Sequence, residues 1–146
     1  MIIYYTDGSA SPNPGPGGFA VILNDKPAVL GTEPEGSGVS AKHTTNIRME
    51  GFAILNALKH AAGQECTIYT DSEFWINVIT QWAPGWAAKG WKKSGGPIKN
   101  LDIVHAVYPL YQESNATLTW VRGHMGDKGN ELADEWANKA RQGVRL

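Results

Sequence analysis

Apolar residues in this chain repeat with two different periods, and the switches between them mark its elements. Ile2-Ile3-Tyr4-Tyr5 opens a β-prone run that ends at Asp7. Residues 8–18 are so dense in Gly, Pro and Asn that neither helix nor strand interior fits, which predicts a tight, exposed connection. Phe19–Leu23 reads as a second strand antiparallel to the first, and Ala28–Thr32 as a weaker third; Glu33–Lys42 reads as loop. From Thr44 to Ala62 the period becomes helical: Ala53, Ile54, Ala57, Leu58 and Ala61 recur at steps of three and four, and Gly63 closes the run as a C-cap. Cys66–Asp71 is again a strand. A strand–helix–strand unit places Asp7 and Asp71 on neighbouring parallel strands. Beyond Ser72, a candidate N-cap, the chain turns helical. Ala83–Gly90 reads as a short helix interrupted by Pro84 and Gly85, followed by a Lys/Gly loop to Pro97. Asn100–Tyr111 is a helix, Thr117–Val121 a last strand and Asn130–Arg141 a final helix. The expected fold class is α/β: a mixed five-stranded sheet, three antiparallel strands then two parallel, flanked by helices.

A length of 146 residues fits one domain with a real core, and 42% hydrophobic against 18% charged residues excludes a disordered or membrane-spanning chain. The one cysteine, Cys66, falls in a predicted strand; it reads as a core thiol and excludes a disulfide framework, which suits a reducing compartment. The N-terminus has no basic segment and meets an acid at Asp7, so neither a signal peptide nor a membrane anchor is expected, and the cytoplasm is the expected location. A net charge of −1 argues against a broadly basic nucleic-acid binder, but the charge is segregated. No acid occurs between Glu73 and Asp102, whereas Lys89, Lys92, Lys93 and Lys99 and four of the six tryptophans (Trp75, Trp82, Trp86, Trp91) do.

The carboxylates change the picture most. Tyr5-Thr6-Asp7 and Tyr69-Thr70-Asp71 are one tripeptide used twice, each where a strand is expected to stop. Glu50 sits on the apolar stripe of its helix, one turn before Ile54. A carboxylate there needs a partner. The helix dipole contributes only about 0.3–1 kcal/mol, and Arg48 lies on another helical face, so a bound metal is the better candidate. Asp134 borders the Ala133/Trp136/Ala137/Ala140 stripe of the last helix. Singly, Asp7 before Gly8 reads as a turn residue and Asp134 as a solvated helix acid. Together, four acids from four elements would repel one another unless divalent cations intervene, and all-oxygen ligation suits Mg²⁺ or Mn²⁺ rather than Zn²⁺.

At this point the chain resembles the bacterial type-1 ribonucleases H, which cut the RNA strand of RNA–DNA hybrids. The matching motifs are Tyr-Thr-Asp7-Gly-Ser, Asn13-Pro-Gly-Pro-Gly-Gly18, Thr44-Thr-Asn46-Ile-Arg48-Met-Glu50, Tyr-Thr-Asp71-Ser72, Gly90-Trp-Lys92, Trp120-Val-Arg-Gly-His124 and Asn130-Glu-Leu-Ala-Asp134. They follow the family's order from about residue 3 to 140.

The resemblance implies one catalytic domain over residues 1–146 with a ribonuclease H-like sheet. Asp7, Glu50, Asp71 and Asp134 would hold two Mg²⁺ ions for an in-line displacement that leaves 5′-phosphate and 3′-hydroxyl ends. His124 matches the family's catalytic histidine, which helps proton transfer or the release of product and metal; His43, His60 and His105 read as structural or exposed. Gly8, Asn13, Thr45, Asn46 and Asn100 match positions that touch the hybrid's sugars or phosphates, where 2′-hydroxyls distinguish RNA from DNA. Residues from about 82 to 99 resemble the family's basic protrusion. There Lys89 and Lys92 would contact phosphate, and Trp82 and Trp86 would bracket the DNA backbone, while Trp75 reads as core. Ile47 departs from the family's usual Asn or Gln and Glu73 from its usual Gln, which implies weaker hybrid affinity or stronger dependence on the protrusion, without loss of the chemistry. The expected partner is an RNA–DNA hybrid, bound by a monomer with no membrane association. A strand-cutting or strand-joining enzyme of the integrase and transposase type shares the carboxylate logic, but the hybrid-reading residues count against it. A silent binding module would lack a carboxylate, and none is missing.

Overall fold

Asn24 and Asp25 both take positive φ (54° and 64°), the geometry of a tight two-residue hairpin turn whose twist matches its strands. They join β2 (Gly17–Leu23) to β3 (Lys26–Gly31). The structure is a computed structural model that describes residues 1–123 and 126–146. In it, β1 (Ile2–Ala10) pairs antiparallel with β2 and parallel with β4 (Cys66–Thr70), which in turn pairs parallel with β5 (Ala116–Trp120). The order β3-β2-β1-β4-β5 is the expected mixed sheet, with β1 at its centre.

Alternation along β2 divides the core between the two faces of the sheet. Phe19 and Val21 join Tyr4, Ile54 and Ile68 under α1 (Asn46–Ala61), with Ile103 and Val107 of α4 (Leu101–Glu113) behind. Ala20 and Ile22 pack against Ala133 and Ala137 of α5 (Lys128–Arg141). Thr45 caps α1 by accepting the Arg48 N–H (3.1 Å). The helix closes on Ala62 in the left-handed region (φ 51°), one residue before the expected cap, Gly63.

Trp75 is fully buried and donates its indole N–H to Ile47 O (2.6 Å), as a core tryptophan should. Cys66 is buried too, and burial pushes its thiol upward. His60 shares a hydrogen bond with Tyr4 (2.7 Å) and His105 packs edge-on to Trp91. Among the described residues no helix is long and apolar enough to cross a membrane.

Three local expectations change. β1 continues three residues past Asp7, because its outer half still has β2 to pair with. α2 (Glu73–Asn77) runs into a π-helical turn, Val78–Trp82, that no periodicity announced. α3 (Ala83–Ala88) is not interrupted: Pro84 stands in its first turn, where the missing N–H removes no helical bond.

Candidate active site

β1 and β4 are in parallel register with Tyr5 opposite Tyr69, so the residues two further on, Asp7 and Asp71, emerge side by side at one end of the sheet. β4 has stopped by then, whereas Asp7 lies inside β1 opposite Ala20. Only one of the two acids ends its strand, contrary to expectation. α1 delivers Glu50 because Gly8 lets it approach: a Cβ on Gly8 would run into the Glu50 nitrogen and the Met49 carbonyl carbon. Gly8 therefore has a packing role ahead of any contact with a sugar. Asp7, Glu50 and Asp71 each offer an oxygen, all within 4.8 Å of one another. Asp134 of α5 lines the same cavity, of about 410 Å³. The four expected carboxylates meet, three of them in the tightest group.

Crowding and burial raise their proton affinity. Burial first, then the charge of Asp71, holds the Asp7 carboxyl well above its ordinary value; the Gly8 N–H (2.8 Å) opposes, and Glu50 and Asp134 add to the rise. Glu50 is pushed up to about 7, chiefly by burial, against a hydrogen bond from Ser72 and with a contribution from Asp71. Arg48 does not relieve them, since its guanidinium is held by Glu33 and Asp102. Among the described residues the donor set is all carboxylate, buried at Asp7 and half-buried at Glu50 and Asp71, and it fits a hard divalent cation such as Mg²⁺ or Mn²⁺.

Of the expected substrate-reading residues, Gly8 and Asn46 line this cavity, whereas Asn13, Thr45 and Asn100 are not among its lining residues. Asn46 Oδ1 accepts the Ala10 N–H (2.6 Å) and Asn13 Oδ1 accepts the Asn46 N–H (3.1 Å). With their carbonyl oxygens engaged internally, both side chains are left with NH₂ donors to offer. Asn100, in the left-handed region, is fixed in the same way by Arg48 Nη1 (3.3 Å). Ile47 and Glu73 are exposed, so neither is tied up in the fold. His124 lies outside the described residues. Gly123 just before it passes so near Asp71 that a Cβ would stand 2.8 Å from Oδ2.

Sequence reasoning missed Glu33, which was assigned to a loop. It is buried and accepts from Arg48 Nε, Thr44 Oγ1 (2.8 Å) and Ser37 Oγ (2.8 Å), while Arg48 grips Asp102 through Nη1 (3.0 Å) and Nη2 (2.8 Å). The network ties the segment after β3 to the first turns of α1 and α4, which carry Thr45, Asn46 and Asn100. The signal available was Arg48 itself, a cation two residues from a core-facing acid and without a local partner.

A second cavity, of about 420 Å³, lies beside α2 and α3, lined by Phe74, Trp82, Trp86, Lys93, Ser94 and Lys99. Trp82 and Trp86 are 6.2 Å apart, centroid to centroid. Lys89 and Lys92 are exposed and do not line it. The tryptophans are where the sequence placed them, but Lys93 and Lys99 are the cations beside them.

A family model described as RNase H matches residues 1–142. A ribonuclease H of Francisella philomiragia is 44% identical over 142 residues, covering 95% of this chain and 90% of the relative. One of Methylorubrum extorquens is 40% identical over 141 residues, covering 96% of this chain but only 60% of that longer relative. The crystal structure of LC9-RNase H1, a type 1 RNase H with the type 2 active-site motif, superposes with a TM-score of 0.75 at 28% identity, covering 97% of this chain and 72% of that one. Carboxylate cluster, sheet order and sequence agree that the chain belongs to the RNase H family of nucleases.

Proposed function

We infer that the protein is an endoribonuclease that hydrolyses the RNA strand of RNA–DNA hybrids and leaves 5′-phosphate and 3′-hydroxyl ends. The observation that carries this reading is the convergence of Asp7, Glu50 and Asp71 in one cavity with Asp134, in a chain of this family. These four residues would hold two divalent cations, Mg²⁺ or Mn²⁺. Such ions supply activation of the attacking water and charge neutralisation at the leaving 3′ oxygen.

The chain's own residues do the rest. Asp7 and Glu50, raised in proton affinity, give up their protons when a cation is held. Asn13, Thr45, Asn46 and Asn100 present donors and a hydroxyl to sugars and phosphates, which suits recognition of 2′-hydroxyls in a wide minor groove. Trp82, Trp86, Lys93 and Lys99 form a cleft suited to the backbone of the DNA strand, with Lys89 and Lys92 contributing field rather than contact. By resemblance His124 assists proton transfer or release. We read the whole as a single catalytic domain acting as a monomer, with a buried lone thiol that suits the cytoplasm.

The test is to assay end-labelled hybrid, duplex RNA and duplex DNA side by side with Mg²⁺. Only the RNA strand of the hybrid is cut, and Asp71→Asn binds it without cutting. Equal cleavage of duplex DNA overturns the assignment in favour of a DNA strand-cutting enzyme.

A further inference from the structure

Arg141 lines the carboxylate cavity, two helical turns along α5 from Asp134 with Asn138 between them. Seven residues of helix span about 10 Å. An arginine in the last turn of a helix ordinarily serves the terminal carbonyls. Here those are already taken. The Gln142 N–H reaches Asn138 O (3.2 Å) and Lys139 O (3.1 Å), the Gly143 N–H reaches Ala140 O (3.0 Å), and Arg145 Nη1 donates to Ala140 O (2.8 Å).

Arg141 has little else to hold. Its Nε is buried without a hydrogen-bond partner. Nη2 makes only a long contact (3.4 Å) with Asn138 Oδ1, an oxygen that Ser9 Oγ already occupies at 2.9 Å. Among the described residues it forms no ion pair, although four acids line the same cavity. The backbone beneath it is fixed, since a Cβ on Gly18 of β2 would run into the Arg141 nitrogen and the Ala140 carbonyl carbon. A weakly engaged guanidinium on a rigid base, in a cavity lined by four acids, suits an anion of its own. Its planar fork of donors matches a phosphodiester.

We propose that Arg141, backed by Asn138 and Ser9, is a phosphate-binding subsite for the strand that lies in the catalytic cavity, taking a backbone phosphate within about three nucleotides of the scissile one. The assignment rests on the reading of the cavity as a hybrid-cutting site. The subsite positions the cut strand and takes no part in bond breaking, so its removal weakens binding and leaves the chemical step alone.

The experiment measures anisotropy of a fluorescent RNA–DNA hybrid against NaCl in the non-cutting Asp71→Asn background, alone and combined with Arg141→Ala, Arg141→Gln or Arg145→Ala. Loss of Arg141 by either substitution weakens binding about tenfold and makes the slope of log affinity against log salt shallower by roughly 0.7–0.9, one phosphate contact. Arg145→Ala changes neither. In the otherwise native chain, Arg141→Gln raises KM by a similar factor with kcat within about twofold. A single uncharged methylphosphonate near the cut reproduces the loss in the parent and adds nothing to Arg141→Gln. An unchanged salt slope, or a fall in kcat alone, overturns the subsite. If the parent itself neither binds nor cuts the hybrid, the underlying functional reading fails instead, and the two failures are told apart.

Discussion

Tyr5 and Tyr69 stack face to face, ring centroids 4.9 Å apart and planes within 20°, directly across the β1–β4 pairing. Each stands two residues before an acid of the carboxylate cluster. The threonines between add further fixings: Thr6 Oγ1 donates to Tyr69 O (3.1 Å), and Thr70 Oγ1 accepts the Ser72 N–H (3.1 Å). The repeated tripeptide is therefore a rung of the sheet. Stacked rings hold the register, and a slip by one residue would turn both acids to opposite faces.

Gly8→Ala tests whether α1 must touch β1. Its Cβ meets backbone of Met49 and Glu50 rather than a flexible side-chain tip, so the helix has to move. Denaturant titration is expected to show a loss of about 1–3 kcal/mol or more. Calorimetric titration with Mg²⁺ and no nucleic acid is expected to show weakened binding, because Glu50 moves with the helix. Normal Mg²⁺ affinity in that variant would return Gly8 to a role in substrate contact alone.

The metal-free protein is expected to lose stability as pH rises. Glu50 titrates near 7 in the fold against an ordinary 4.5, and Asp7 is also raised. The folded state thus binds more protons than the unfolded chain across this window, and stability present below about 4.5 is lost as pH passes 7. For Glu50 this is on the order of 3 kcal/mol. Asp102, held below its ordinary 3.8 by Arg48, acts in the opposite sense and only at more acid pH. Melting in EDTA at about pH 5 and about pH 8 should show the higher Tm at the lower pH, and saturating Mg²⁺ should close the gap. A Tm in EDTA that rises between those pH values would contradict the burial of these carboxyls.

Lys93→Ala with Lys99→Ala, in the tryptophan cleft, is expected to raise KM for the hybrid several-fold and flatten its salt dependence at near-constant kcat. The pair outside the cleft, Lys89→Ala and Lys92→Ala, should do less. Steady-state kinetics at two ionic strengths separates the pairs, and a larger effect at Lys89 and Lys92 would move the strand out of the cleft.

Glu33→Ala leaves the buried Arg48 guanidinium with Asp102 as its one ion-pair partner among the described residues, beside the Asn100 amide. Breaking a buried pair from one side costs about 3–5 kcal/mol. Thermal melting should therefore fall well below that of the parent, with hybrid affinity falling further than Mg²⁺ affinity, since Asn46 and Asn100 lose their support before the carboxylates do. Equal losses of both affinities would show that the network supports the whole fold and not that edge in particular.

The catalytic half of the site was legible because its signals are local. Tyr5-Thr6-Asp7 and its copy announce themselves, and Glu50 is conspicuous as an acid on an apolar stripe. Glu33 was hidden because the partner that explains its burial lies fifteen residues on, and Pro34, Gly36 and Gly38 beside it signal loop whatever the acid does. Arg141 was hidden for the opposite reason: at a helix end an arginine has an ordinary use, and only the position of Arg145 shows that use to be filled. In the tryptophan segment, composition predicted a basic aromatic surface but not which of its exposed lysines line the cleft, since that depends on a loop path that no periodicity encodes. The hairpin at Asn24-Asp25 and the tolerance of Pro84 in α3 were within reach of turn and helix-end chemistry.

α5 covers Ala20 and Ile22 on one face of the sheet and also supplies Asp134, and it is the last helix in the sequence. During synthesis everything up to β5 emerges first, with Asp134 not yet made and the Ala20–Ile22 face of β2 still open to solvent. The cavity of a nascent chain therefore lacks Asp134 until α5 has left the ribosome and docked. On the proposed reading, completion of folding and completion of the four-carboxylate site are one event.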